Sequence, residues 1–228
     1  MLTMILAESA LELVPKELAN HPLIRRDARR RRKRPEQLIL DRSYHHKAML
    51  GLPDSEGRGR PDITHITLLT ALGSPLNLMG QLRIYIHTLE DLVITVASEV
   101  RIPRSSERFK GLIEELFESR RVSSGDKPLL ELLEMNLDRL IEKTRPTYKV
   151  GLTVLGERSR VQDLAAALAE QTRPTVIIGG FPRGHFSKET SRLLDATASI
   201  YPRGLEAWTV ASWMIFAYEQ AAGLNSIS

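Results

Sequence analysis

Cysteine is absent from the 228 residues. That one absence removes disulfide frameworks, thiolate zinc sites, iron–sulfur clusters and cysteine nucleophiles together, and it fits a reducing compartment. Long hydrophobic runs are missing too: the longest, AWTVASWMIFAY at residues 207–218, falls short of the ~20 residues a spanning helix needs. The opening MLTMILAESALEL has neither the basic start nor the small-residue cleavage site of a signal peptide. The expectation is a cytoplasmic protein with no membrane partner. Neither G-x-G-x-x-G nor G-x-x-x-x-G-K-[ST] occurs, which leaves nucleotide-phosphate binding with weak support. G-x-S-x-G, H-E-x-x-H and D-x-D-x-D-G are likewise absent, so no catalytic residue is assigned. His45 and His46 are adjacent and would point to different sides of a helix, a poor metal pair, and no metal is expected.

What is present is an ordinary globular composition, 42% hydrophobic and 26% charged, long enough for one large domain or two small ones. The net charge of +4 is modest but unevenly placed. RRDARRRRKR at residues 25–34 alone carries +7, leaving −3 for the rest of the chain. Such a block repels itself, so residues 22–36 are expected as a basic arm, loop or surface patch that faces polyanions. Arginine outnumbers lysine 24 to 8, and its planar fork suits phosphate.

Patterning gives the elements. A strand at residues 2–7 leads into a helix over 8–20 broken at Pro15. A short strand at 37–40, a helix at 43–50, a glycine-rich loop at 51–60 and a helix from Pro61 to about residue 72 follow, Pro61 and Asp62 being favourable at its start. Alternation across residues 82–97, interrupted by Leu89-Glu90-Asp91, predicts a β-hairpin. Helices are expected at 109–119 and 129–142. The remainder alternates strand and helix: strand 149–154, helix 160–170, strand 175–178, strand 198–201, helix 205–221. This order predicts an α/β fold with a mainly parallel sheet and helices on its faces.

Two of those strands end in nearly the same tetrapeptide, Phe181-Pro-Arg-Gly184 and Tyr201-Pro-Arg-Gly204. Ligands of open parallel sheets bind beyond the carboxyl ends of strands, where glycine lets backbone amides approach, so one cleft between the two loops is expected. The helix that follows is apolar around most of its circumference and must be covered on two sides, by the sheet and by a second subunit. Arg101, Arg104 and Arg108 gather where another helix begins. Cations are misplaced there unless an anion joins them, and phosphate is the ligand expected.

Taken in order, Arg60-Pro-Asp-Ile-Thr-His65, Ser74-Pro-Leu-Asn77, Arg101-Ile-Pro-Arg104 with Arg108-Phe109, IIGGFPRG, and Tyr201 with Gly204-Leu205-Glu-Ala-Trp208 resemble the ribosome-biogenesis pseudouridine-N1 methyltransferases of the SPOUT class, in their archaeal-type form. The resemblance implies a single SPOUT domain over residues 1–228, a C-terminal trefoil knot, and a homodimer. It also implies S-adenosyl-L-methionine held by residues 149–222 and a pseudouridine of small-subunit rRNA as substrate. By the same resemblance the cofactor-binding residues are Ile178, Gly179, Gly180, Phe181, Tyr201, Gly204, Leu205 and Trp208. Arg60, Arg101, Arg104 and Arg108 bind RNA, and Asp62 supports Arg60. The family pattern carries Asp before Ser-Pro where this chain has Gly73, which leaves the catalytic base unassigned. A non-catalytic rRNA-binding assembly chaperone and a nucleotide-binding enzyme of other chemistry are the competing readings.

Overall fold

The computed structural model describes residues 1–224. In chain order its elements are β1 (Leu2–Ser9), α1 (Pro22–Arg31), α2 (Arg42–Met49), α3 (Pro61–Leu72), α4 (Pro75–Leu78), β2 (Leu82–Thr88), β3 (Leu92–Val96), α5 (Ser106–Ser119), β4 (Arg121–Ser124), β5 (Lys127–Glu134), α6 (Leu137–Thr144), β6 (Tyr148–Arg158), α7 (Val161–Ala169), β7 (Pro174–Gly179), α8 (Lys188–Arg192), β8 (Ala196–Ser199) and α9 (Ala207–Ala221). The eight strands form one sheet in the order β4-β5-β3-β2-β1-β7-β6-β8. Strands β2, β1, β7, β6 and β8 pair in parallel, and β3, β5 and β4 extend the sheet antiparallel.

Strand periodicity distributes the core over both faces. In β1, Leu2, Met4 and Leu6 join the main cluster with Ile84, Ile86, Val176 and Ile178, under α3, α5, α7 and α9. Ile5 and Ala7 point the other way, to Ile177 and to Leu137 and Leu140 of α6. This two-sided burial is what an α/β sheet with helices on each face requires. A third, smaller cluster, with Ile24, Leu38, Leu40 and Met49, sits beneath α1 and α2. Residues 10–60 therefore make a lobe with its own core beside the sheet. Among the described residues no helix is long and apolar enough to cross a membrane.

The expected hairpin is β2–β3, and the helix expected from Pro61 to about residue 72 is α3. Four expectations are corrected. The helix expected over 8–20 does not form. Glu8 turns the chain out of β1 with a left-handed φ of 51°, Leu13 bridges to Ile39, and only Lys16–Leu18 makes a helical turn. Pro15 has no N–H to give a helix interior; Leu11 and Val14 reach the core from irregular chain and Leu18 from that one turn. The strand expected at 37–40 is reduced to that single bridge at Ile39. The helix expected at 129–142 is a strand followed by a helix. Leu130 and Leu132 are the buried positions of β5, Gly125 closes the β4–β5 turn at φ 59°, and Asn136 caps α6 by accepting the Arg139 N–H at 3.0 Å. A leucine-rich run fits both periods, so pattern alone does not decide it. The basic segment is neither arm nor loop but the helix α1, whose Ile24 and Ala28 are buried.

Candidate functional site

The two Pro-Arg-Gly loops do converge. Beyond the carboxyl ends of β7 and β8, and beside Leu152–Val154 of β6, they enclose a cleft of about 510 Å³, within the range of small-molecule sites. Ile178, Gly179, Phe181, Tyr201, Gly204 and Leu205 line it, as does Ile63 of α3. The wall between them also holds Arg183, Arg203 and Glu206 of the quoted motifs, and residues that pattern did not single out: Thr153, His185 and Phe186. Only the convergence of three strands brings these together, and no local spacing signals it.

Gly180 and Trp208 are not among the lining residues. A Cβ on Gly180 would lie 2.3 Å from Ser9 Oγ and 2.7 Å from Ser9 Cα. Its N–H donates to the Ala7 carbonyl at 2.7 Å, and its own carbonyl accepts the Ala10 N–H at 3.0 Å. The glycine is there for the close passage of β1 past β7. Trp208 is half-buried against the main core. Gly179 differs again: a side chain there would come within 2.6 Å of the Phe181 ring, which folds back over the strand end and meets Phe186 edge-on at 5.9 Å. On the opposite wall Tyr201 meets Trp213 edge-on at 6.0 Å. The exit of the first loop is held by Glu8, whose carboxylate accepts the Ser187 N–H at 3.0 Å, while Ser187 Oγ caps α8 through the Thr190 N–H.

A cationic rim stands at one side. Arg60 occupies the start of α3 and forks onto Asp62, Nε to Oδ1 and Nη2 to Oδ2, both 2.8 Å. That hydrogen bonding, with the nearby charges of Asp62, Glu206 and Asp41, outweighs burial and pushes the Arg60 guanidinium further above its ordinary value. Because Glu206 lines the cleft and acts on Arg60, and Ile63 one turn on lines it too, Arg60 sits on the cleft's edge. Asp62, expected to support Arg60, accepts both of these Arg60 bonds through its carboxylate. Arg101 and Arg104 precede α5 and Arg108 lies in its first turn. All three are exposed, with no ion-pair partner among the described residues. Their segment is fastened to α3 by His65, whose ring stacks on Phe109 at 4.4 Å. His65 Nε2 lies 2.7 Å from the Pro103 carbonyl; a carbonyl only accepts, so that nitrogen carries the proton. Arg60 and the Arg101–Arg108 segment are therefore positioned through one α3–α5 joint.

Gly73 closes α3 at the end away from Arg60. At about 1.5 Å per residue that is some 18 Å along the axis. The departure from the family pattern thus lies at the junction with α4, where Ser74 Oγ caps the next helix through the Asn77 N–H, and takes no group out of the cleft.

Residues 4–219 match the model of a family described as EMG1/NEP1 methyltransferase. The chain is 45% identical over 225 residues to the ribosomal RNA small subunit methyltransferase Nep1 of Thermococcus kodakarensis, covering 98% of this chain and 100% of that one. Identity to the same protein of Pyrococcus furiosus is 44% over 218 residues, 96% of each chain. The crystal structure of Archaeoglobus fulgidus Nep1 bound to S-adenosylhomocysteine superposes with a TM-score of 0.87 at 37% identity, covering 97% of this chain and 98% of that chain.

Proposed function

The chain belongs to the EMG1/NEP1 methyltransferase family, and from that premise we propose that it moves the methyl group of S-adenosylmethionine onto N1 of a pseudouridine in small-subunit rRNA. Likeness over the full length of relatives that carry out small-subunit rRNA methylation makes it an S-adenosylmethionine-dependent rRNA methyltransferase. The pseudouridine and its N1 are our reading, supported by the ordered motif set. The observation that carries the proposal is the cleft itself: two glycine-bearing loops beyond the ends of β7 and β8, on either side of β6, walls that are part apolar and part polar, and no phosphate loop. This suits a nucleoside cofactor without phosphates.

In this reading Ile178 and Leu205 wall the adenine, and the backbone at Gly179 and Gly204 approaches the ligand. Gly204 has nothing within 4 Å of the position its Cβ would take, so its main chain faces the cleft unobstructed. Gly180 and Trp208 support the walls from behind. When bound, the cofactor supplies an electrophilic methyl on a sulfonium. N1 of the base forms its bond to that carbon as the sulfur–carbon bond breaks, and N1 gives up its proton. His185 and Glu206 are the lining groups that can accept one. Arg60, held by Asp62, and Arg101, Arg104 and Arg108 grip the backbone phosphates beside the target. Holding donor and acceptor in register supplies much of the rate.

The remaining proposals complete the assembly. Residues 1–228 act as one domain in the cytoplasm, with residues 149–222 threaded as the trefoil knot. The subunit pairs through α9, where Trp213 is 39% and Phe216 61% exposed. They border an apolar groove shared with Val161 of α7, and a second copy covers it. Light scattering is expected to give a dimer; a monomer of 25.7 kDa at micromolar concentration contradicts it.

The test is methyl transfer to two hairpin RNAs that differ only in pseudouridine or uridine at the target. Uridine has its N1 locked in the glycosidic bond. The pseudouridine hairpin should gain one methyl in place of a hydrogen and the uridine hairpin none. Binding of the RNA without transfer, in the presence of cofactor, would favour the assembly-chaperone reading.

A further inference from the structure

The proposed rim arginines account for only part of the cationic surface. The basic helix α1 buries Ile24 and Ala28, at the i, i+4 spacing of one helical face, and Arg31 follows at i+7. Arg31 and Lys33 are neutralised from below by the buried carboxylate of Glu114. Arg31 Nη2 donates to it at 2.8 Å and Lys33 Nζ at 2.7 Å, while its other oxygen accepts the Ile39 N–H at 3.0 Å. Arg30 is taken by Asp27 at 2.7 Å. Within α1 and its C-cap that leaves Arg25, Arg26, Arg29 and Arg32, all exposed, whose guanidinium groups have no ion-pair partner among the described residues; Arg34 lies beyond the helix. Arg29 and Arg32 lie where the helix dipole favours cations, but Arg25 and Arg26 lie in its first half with no acidic residue in the first turn, where the dipole opposes them.

This surface adjoins α5, the helix whose first turn carries Arg108. The Tyr44 ring of α2 has Arg30 of α1 at 5.5 Å and Lys110 of α5 at 4.3 Å, and Lys110 is one position beyond the buried Phe109 and two beyond Arg108. The arginine-bearing end of α1 therefore lies beside the first turns of α5. Asp27 also stands 3.5 Å from the buried His45 Nε2 of α2, and α1 packs on α2 through Ile24, Ala28 and Met49.

From this placement we infer that the solvent face of α1, with Arg25, Arg26, Arg29 and Arg32, is a second rRNA contact that grips the phosphate backbone flanking the target nucleotide. The inference rests on the rRNA reading above and extends its reach along the strand. Charge complementarity names the occupant. Four forked cations on a preorganised helix, in a chain whose charge outside residues 25–34 is −3, match a regular row of phosphates. Such contacts set register and affinity without reading sequence.

The experiment compares wild type with Arg25→Gln/Arg26→Gln/Arg29→Gln/Arg32→Gln, which keeps α1's buried face and its Glu114 anchor. Each is titrated at several salt concentrations with a minimal pseudouridine loop and with the same loop extended by its flanking helix. For the extended RNA the variant should lose about 0.7–0.9 of the log–log salt slope per phosphate contact, hence about 3 if all four bind. For the minimal loop, and for S-adenosylmethionine, the two proteins should agree. Equal slopes on the extended RNA, with wild type still methylating it, overturn the inference and leave the enzyme reading intact. Absence of any wild-type methylation or RNA binding removes both. Binding to anionic phosphatidylserine vesicles that depends on the four arginines, with no such dependence for RNA, assigns the surface to a membrane and also overturns it. Should the quadruple variant bind no cofactor, Arg25→Gln/Arg29→Gln carries the same comparison with an expected loss of about 1.5 in slope.

Discussion

The lobe of residues 10–60 and the strand–helix region from Tyr148 to Ala221 are built on different physics. In the C-terminal region β6, α7, β7 and α9 follow from hydrophobic period and punctuation, while α8 at Lys188–Arg192 carries no such signal. The cleft is shaped by backbone, by apolar side chains, and by glycines at close passages such as Gly156, where a Cβ would lie 2.5 Å from the Ala198 main chain. In the lobe the organising contacts are buried charges paired over long sequence separations. Glu12, 1% exposed at its side chain, takes Arg58; Asp41 takes Lys110 at 2.8 Å; Glu114 takes Arg31 and Lys33. Sequence pattern marks most elements of the cofactor half, while charged partners 46 to 83 positions apart hold the half that carries the basic helix. The two should therefore fail in different ways.

The largest expected effect is on the lobe. Glu114→Ala removes the buried carboxylate that compensates Arg31 and Lys33 and accepts the Ile39 N–H, and should cost about 3–5 kcal/mol in urea unfolding. Glu114→Gln, which keeps an acceptor for Ile39, should cost less. If both behave like surface substitutions, charge pairing does not hold the lobe.

Next, two glycines of the C-terminal region separate packing from binding. Gly180→Val drives a side chain into Ser9 and should lose about 1–3 kcal/mol of stability. Gly204→Val meets open space, should leave stability within about 0.5 kcal/mol, and should weaken S-adenosylmethionine binding by crowding the cleft. For comparison, cofactor at 100 times its dissociation constant should stabilise wild type by about 2.7 kcal/mol. Equal behaviour of the two variants in thermal shift and titration would remove the distinction between wall and support.

The smallest effect is a pH dependence of the lobe. Burial lowers the His45 pKa below its ordinary value near 6.5, against the opposing pull of Asp27 and Asp41. A histidine depressed in the folded state binds its proton more readily when unfolded. Its contribution is complete above pH ~6.5 and is lost as pH falls towards the folded value. His45→Asn, whose side-chain oxygen can still accept the Asp41 N–H that His45 Nδ1 takes at 3.1 Å, should show a shallower loss of stability between pH 7 and 5 (about a pH unit either side of the ordinary His value). An identical slope in wild type and variant contradicts the assignment.

The same contrast explains what could be read in advance. The helix at Pro61, the β2–β3 hairpin and the β6-α7-β7 succession announce themselves through proline, turn residues and period, and the paired Phe-Pro-Arg-Gly and Tyr-Pro-Arg-Gly loops announced the cleft. Gly180 was legible as an important glycine but not as one facing Ser9, because that neighbour lies 171 positions away by residue number. The paired loops announced a shared cleft, but nothing local says that the His185 and Glu206 side chains line it. The arginine run read as a repelling block because its compensating carboxylate, Glu114, is on α5; with that partner known, a helix is the expected outcome.

The central claim is that one site combines a cofactor cleft free of any phosphate loop with a separate cationic RNA rim. The measurement that tests it most directly replaces Arg101, Arg104 and Arg108 with alanine and titrates wild type and variant with S-adenosylmethionine and with a pseudouridine hairpin across a range of salt. The account predicts unchanged cofactor affinity, and a salt slope for RNA that is flatter by about 2, at about 0.7 per lost phosphate contact. Unchanged RNA affinity and slope in a variant that still binds cofactor would contradict it.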